Sequence, residues 1–150
     1  MELNWAEGLP VRVGEMFIGL YQPSPETAGY WEGVKRHELL IKHCPHCDKR
    51  HHPRRTLCSG CGETGLGWKQ AGGKGKVYSF SEVHRTTGEF SPSTPYVVGV
   101  VELEEGVHMF TRFVPRHGDA DNSGIRIGAA VSVEFQVLEQ GMLLPVFRLA

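Results

Sequence analysis

A chain of 150 residues with 40% apolar content and a net charge of -1 suits one domain, or two small ones, around a modest core. Its opening, MELNWAEGLP, lacks the basic start and apolar run of an export signal, and no stretch approaches the roughly 20 apolar residues that cross a bilayer; the expectation is a cytoplasmic protein without membrane contact. The small net charge hides a segregation: residues 1–34 carry one base and five acids, 35–76 ten bases and three acids, and 77–150 five bases and nine acids, so the middle is a basic patch (+7) suited to anionic partners.

Residues 1–23 show no sustained period and contain Pro10, Gly14, Gly19 and Pro23, which predicts an irregular docking arm. Trp5, Met16, Phe17 and Ile18 on it are apolar groups for a partner to cover. Ser24, Pro25 and Glu26 supply a hydroxyl cap, a first-turn proline and a first-turn carboxylate, so a helix is predicted to about Arg36. Tyr30, Trp31 and Val34 share one arc of it. Leu39 to Ile41 read as a short strand leading into the first cysteine pair, and LGWKQ (66–70) as another within a glycine-rich stretch. The glycines place a boundary near residue 73, giving an arm and docking helix (1–36), a metal module (37–72) and a β domain (73–150).

Beyond residue 76 the pattern is of strands: VYSFSEVH (77–84), YVVGVVEL (96–103), VHMFTRFV (107–114), VSVEFQVL (131–138) and LPVFRL (144–149). Glu104, Glu105 and Gly106 predict a tight reversal, with the two carboxylates exposed on it. Val107, Met109, Thr111 and Phe113 share a face, and Val131, Val133, Phe135 and Val137 alternate inward. Five strands in so short a span suggest a closed barrel, with the five-stranded OB barrel leading. The predicted class is mainly β: an N-terminal helix, a rubredoxin-like zinc ribbon and a C-terminal five-stranded OB-fold barrel.

Cys44-x2-Cys47 and Cys58-x2-Cys61 are every cysteine in the chain. In a reducing compartment such a pair of knuckles predicts one tetrahedral Zn²⁺, structural because four thiolates leave no position for water. Gly62 allows the positive backbone angle that follows a knuckle, and Asp48 allows it less readily. His46, His51 and His52 could replace a thiolate but are expected on the surface. The metal would stabilise a segment too poor in large apolar groups to build its own core.

With four thiols held by zinc, no cysteine remains as a nucleophile for acyl transfer. There is no GxSxG elbow, AGGKGK (71–76) lacks the spacing of a phosphate loop, and GLG (65–67) lacks the third glycine of a dinucleotide fingerprint. His84 and Arg85 are isolated candidates for polar chemistry, with an exposed role the plainer expectation. Single-stranded nucleic acid is an alternative ligand for such a barrel, but this half is net acidic, and Tyr78, Phe80, Phe110 and Phe113 are not interleaved with lysine.

YWEGVKRHELLIKHC (30–44), the paired knuckles, HHPRRTLC (51–58) and GKGKVYSFSEVHR (73–85) occur in an order that resembles a known family. TPYVVGVVELEEGVHMFTRFV (94–114), IRIGAAVSVEF (125–135) and LPVFRLA continue it, over roughly residues 28–150. The family is that of zinc-ribbon plus OB-fold acyl-CoA-associated proteins. The resemblance implies a non-catalytic subunit that accompanies a thiolase-fold acyltransferase, or in other members a hydratase or aldolase, in a hetero-oligomer that handles acyl-CoA. It implies that ribbon and helix grip the partner while the barrel helps form the acyl-CoA entrance. Cys44, Cys47, Cys58 and Cys61 are the expected metal ligands. Lys74, Lys76, Arg85 and Arg112 are candidates for the anionic groups of CoA, and Phe90, Tyr96 and Phe110 for its apolar arm.

Overall fold

The computed structural model describes residues 24–86, 94–137 and 143–150. Phe90, the apolar groups of residues 1–23 and the end of the 131–138 strand candidate lie outside the described residues. Among the described residues one short helix and eight strands follow in chain order: α1 (Ala28–Lys35), β1 (Leu40–His43), β2 (Arg50–His51), β3 (Gly67–Gln70), β4 (Lys74–Val83), β5 (Tyr96–Leu103), β6 (His108–Val114), β7 (Ala130–Val137) and β8 (Leu143–Leu149).

The helix begins later than Ser24 and Pro25 suggest. Ser24 to Thr27 form a separate turn, in which the Thr27 N–H donates to the Ser24 carbonyl at 3.0 Å and the Ser24 N–H donates to Thr27 Oγ1 at 2.9 Å. That second bond occupies the hydroxyl at the N-cap position, and Thr27 makes no side-chain cap to the helix. At the other end His37 adopts a left-handed backbone (φ 59°), and the N–H groups of His37 and Glu38 donate to the carbonyls of Val34 and Gly33. This is a Schellman ending without the usual glycine. Stacking of the His37 ring on Phe135, centroids 5.3 Å apart, offsets part of the backbone cost.

β1, β2 and β3 make a small antiparallel sheet in the order β2-β1-β3, and the other five strands close a barrel in the order β4-β5-β6-β8-β7. β6 and β8 run parallel while the remaining neighbours are antiparallel. That order, with the last strand inserted between the third and fourth, is the OB topology, so the expected architecture is the one observed. A bulge between Val77 and Ser79 lets β4 bend across the barrel. Where β4 crosses β5, a Cβ on Gly99 would sit 2.0 Å from the Ser79 carbonyl oxygen, and only glycine permits that approach.

The inner residues of β5 and β6, Val97, Val101, Leu103, Met109 and Phe113, meet Val77, Val131, Phe147 and Leu149 in one core. Val107, Met109, Thr111 and Phe113 are all buried, as their alternation predicts. β7 departs from its pattern: Val131 is buried and Val133 and Phe135 pack against the core, but Val137 is 69% exposed. The strand has by then run beyond β4, which pairs only with its first residues (Lys74↔Ser132 to Lys76↔Ala130).

Leu39, Ile41 and Ala71 belong to the same buried cluster as the barrel residues, so the ribbon is built onto the barrel rather than tethered beside it. Glu105, expected to be an exposed turn carboxylate, reinforces this by accepting the Gly72 N–H at 2.7 Å. Glu104 is exposed as expected.

Candidate metal centre and ligand cleft

Each CxxC pair sits in a reversal of the same construction. The Cys44 N–H donates to the Lys49 carbonyl (2.9 Å) and the Asp48 N–H to the Cys44 carbonyl (2.8 Å). Fourteen residues on, Cys58 bonds Glu63 (2.9 Å) and Gly62 bonds Cys58 (3.0 Å) in the same way. The fourth position after each leading cysteine needs a left-handed backbone. Gly62 (φ 79°) takes it freely, while Asp48 (φ 59°) does so with its carboxylate paired to Arg50.

The hydrogen-bonded turns aim all four sulfurs at one point, within 4.8 Å of one another. Cys44 and Cys61 Sγ are 3.6 Å apart and Cys47 and Cys58 Sγ 3.5 Å. A tetrahedron with zinc–sulfur bonds of about 2.3 Å has edges of about 3.8 Å, so the spacing suits a shared ion and is far beyond the roughly 2.05 Å of a disulfide. At Cys58 burial raises the thiol, but the amides of Cys61 and Gly60, the His51 ring and Cys47 outweigh it and hold it at about 5. At Cys61 the Glu63 amide lowers the thiol, yet burial and the sulfurs of Cys44, Cys47 and Cys58 push it up to about 12. Protons alone leave this group divided between thiol and thiolate; a divalent cation allows every sulfur to be a thiolate. The donor set therefore fits structural zinc, and as a ribbon's closed four-thiolate site it would supply folding energy rather than an open catalytic position.

The histidines separate. His46 is exposed, as expected, and His52 is half-buried. His51 corrects the expectation of a surface residue: it is only 5% exposed, and its Nε2 lies 3.3 Å from Cys58 Sγ. Pairing of Lys42 with His51 between β1 and β2 turns the ring inward. With Cys58 as a thiolate, Nε2–H donates to the sulfur, as the Gly60 N–H does at 3.3 Å. The sequence marked His51 only as a possible replacement ligand; its contact with a cysteine sulfur depends on the pairing of β1 with the two-residue β2, which no spacing rule shows. Lys42, also unmarked, is 7% exposed, donates to the Arg55 carbonyl at 2.8 Å and lies over the Trp68 ring at 4.9 Å.

A cleft of about 560 Å³ lies between α1, the His52–Arg54 segment and the outer face of β5 and β6. Tyr30 and Trp31 from α1 line one side, and Val98, Phe110 and Arg112 from the barrel the other. Leu144 and Pro145 of β8 also contribute. Of the residues singled out for ligand contact, Tyr96, Phe110 and Arg112 come together here. The Arg112 guanidinium lies over the Tyr96 ring at 5.2 Å, and Phe110 is 71% exposed. Arg54, which no motif distinguishes from its basic neighbours, is on the opposite lip.

Lys74 and Lys76 sit elsewhere, at the start of β4 and roughly 23 Å or more along that strand from Val83, which lines the cleft. Lys76 is paired with Glu102 at 3.2 Å. Arg85 is exposed beyond the end of β4 and does not line the cleft. His84, next to it, pairs with Glu82 at 3.1 Å.

Two family models match this chain in succession: the ChsH2 rubredoxin-like zinc ribbon domain over residues 31–67 and the ChsH2 C-terminal OB-fold domain over 68–136. A DUF35 domain-containing scaffold protein of Methanothermobacter thermautotrophicus is 35% identical over 119 residues, 77% of this chain and 86% of that one. The chain belongs to the DUF35 family. A probable enoyl-CoA hydratase alpha subunit of Thermomonospora curvata is 34% identical to it over 123 residues, and the match spans 82% of this chain but only 37% of that subunit. Among solved structures, a chain of the Ltp2-ChsH2(DUF35) aldolase superimposes with a TM-score of 0.74 at 31% identity, over 85% of this chain and 96% of that one. Among the described residues no helix is long and apolar enough to cross a membrane.

Proposed function

We propose that this DUF35 chain is a non-catalytic subunit of an acyl-CoA-processing complex, in which a separate thiolase-type acyltransferase performs the bond-making steps. The observation that carries the proposal is the cleft, where Arg112 stacked on Tyr96, Arg54 and the exposed Phe110 face one another across a gap between helix and barrel. Guanidinium groups bind phosphate oxygens through charge-assisted hydrogen bonds, and aromatic walls suit a pantetheine or acyl chain. The cysteines support it from another direction: their sulfurs converge on a metal position, so thioester chemistry falls to another polypeptide. In this reading helix and ribbon hold the partner in the cytoplasm while the barrel face guides acyl-CoA.

The purified chain is expected to bind CoA, and Arg112→Ala to weaken that binding about tenfold, the effect of one lost charge-assisted contact. Titration calorimetry reads this directly. Alone, the chain should neither form nor cleave carbon–carbon bonds with acetyl-CoA or acetoacetyl-CoA, and it should raise the activity of a co-purifying thiolase-type chain; turnover by the isolated chain overturns the proposal. A second reading, in which the partner adds water to an enoyl-CoA, is favoured by the similarity to the Thermomonospora curvata hydratase alpha subunit. Assaying the co-purified complex for acetoacetyl-CoA cleavage and for crotonyl-CoA hydration separates the two.

A further inference from the structure

We infer that the ligand lies across this chain in one direction, with its adenosine and phosphate groups in the cleft and its pantetheine arm running out over Phe110 to a further contact at Tyr78 and His108, where the thioester leaves for the partner. The inference rests on the acyl-CoA reading above and adds to it a polarity and the contacts at Tyr78 and His108.

The route is set by the outer face of the barrel. Along β6, His108, Phe110 and Arg112 alternate with the buried Met109, Thr111 and Phe113, so these three lie outward in one row. Arg112 and Phe110 line the cleft, and His108 is the next outward position beyond its edge. Tyr78 is the extra residue of the bulge in β4, without a partner in the register with β5, and a bulge re-aims the side chain it carries. Its ring stacks on His108 with centroids 4.4 Å apart. Phe110 and Tyr78 are 71% and 53% exposed, an aromatic path that starts inside the cleft and leaves it. From Arg112 to His108 the strand rises about 13 Å, comparable to the length of an extended pantetheine arm.

Charge sets the direction. The described lining holds Arg54 and Arg112 on opposite lips and no carboxylate, so a phosphate there meets only positive charge. At the far end His108 Nε2 lies 2.9 Å from Glu102 Oε2, and Lys76 Nζ lies 3.2 Å from Oε1 of the same carboxylate. These two hydrogen bonds hold the Glu102 carboxyl below the ordinary carboxylate range, so it stays an anion that Lys76 balances. That end offers a phosphate no net positive charge, and a thioester, being neutral, needs none. Tyr30 and Trp31, 5.1 Å apart and nearly perpendicular, give the cleft the flat aromatic faces on which a purine stacks. A volume of about 560 Å³ accommodates a nucleotide but not the complete coenzyme, so the rest of the ligand lies outside. With the four thiols converging on a metal position, no cysteine of this chain is left to take up an acyl group, and the reacting end must be the one that leaves.

The test is titration calorimetry of the full, zinc-loaded chain with CoA and with its two halves. Adenosine 3′,5′-bisphosphate should bind within about tenfold of CoA, and pantetheine at least about a hundredfold more weakly than the bisphosphate. Arg112→Ala should weaken CoA and the bisphosphate alike, by about tenfold, whereas Tyr78→Ala should weaken CoA by about threefold to tenfold and leave the bisphosphate unchanged. A photoreactive ligand reads the direction without any variant: irradiation with the 4-benzoylbenzoyl thioester of CoA should place adducts on peptides carrying Tyr78 or His108 and none on Ala28–Lys35. Adducts on the helix, or pantetheine binding more tightly than the bisphosphate, would reverse the direction and overturn the inference while leaving the acyl-CoA reading in place. Tyr78→Ala that retains its zinc and its CoA affinity but no longer holds a co-purifying partner would assign the row to that partner's surface and equally overturn it. Failure of CoA itself to bind would remove the acyl-CoA reading and this inference with it.

Discussion

Glu134 and Arg148 face each other across β7 and β8, with Arg148 Nε and Nη2 donating to the two carboxylate oxygens at 2.6 and 2.8 Å and Nη1 donating to the Pro115 carbonyl at 2.7 Å. The Arg148 hydrogen bonds hold the Glu134 carboxyl at about 2, against the raising effect of burial and from an ordinary value of 4.5. Because the folded value is the lower one, the pair stabilises the fold fully above pH of about 4.5, and this contribution fades as pH falls toward 2. The carboxylate is 35% exposed, so screening reduces the contribution to about 1 kcal/mol. Urea denaturation should show Glu134→Gln less stable than the parent by that amount at pH 7, with the gap closing below pH 4; a gap independent of pH would contradict it. Fourteen residues separate the two, and nothing in a linear pattern of charge pairs them. The same is true of His51 and Cys58, whose contact depends on strand pairing. The cysteines were legible because each knuckle is local: two residues between thiols set the geometry before any tertiary contact forms. The cleft residues were legible only as residue types, and Arg54 not at all, since its position depends on how the ribbon sits on the barrel.

The helix α1 shows a conflict between propensity and packing. An alanine in place of glycine within a helix ordinarily stabilises by about 1 kcal/mol. At Gly29, however, an added Cβ would lie 2.3 Å from Trp68 Nε1 and 2.5 Å from Cε2. The indole is a rigid ring that also carries Lys42 on its face. Overpacking of this kind costs about 1–3 kcal/mol and outweighs the gain in propensity. Gly29→Ala should therefore lower stability by about 1 kcal/mol and alter the Trp68 emission; a stabilised variant would show that the indole moves freely. The strands of the barrel were readable from their alternation and turn residues, which act locally. The ending of α1 was less readable, because a histidine stands where a glycine would signal it. The start was misplaced because the serine-proline pair forms a turn of its own. Val137 was misread for a different reason: alternation gives the side of a strand, while burial depends on whether neighbouring strands extend as far.

Ribbon and barrel are joined by a common interior, since Leu39 and Ile41 are buried with Val77 and Phe147. Loss of the metal should consequently be felt beyond the knuckles. Zinc contributes roughly 10 kcal/mol or more to small four-ligand modules, and even partial transmission of this through the shared core is several kcal/mol. Exhaustive chelation, verified by elemental analysis, should lower the melting temperature of the whole chain by about 10 °C or more, and Cys58→Ser should do likewise. A calorimetric transition unchanged after metal removal would show that the sulfurs are not needed for the fold.

The insertion of β8 between β6 and β7 orders events during synthesis. Both cysteine pairs and all three ribbon strands lie within the first 70 residues, so they can take up their metal while the remainder is still being made. The barrel has no such early option: until Leu143–Leu149 emerge from the ribosome, β6 and β7 flank a gap that nothing else in the described chain fills. The nascent molecule therefore leaves Val97, Val101 and Phe113 exposed until β8 arrives, and it is in that interval that chaperones have something to hold.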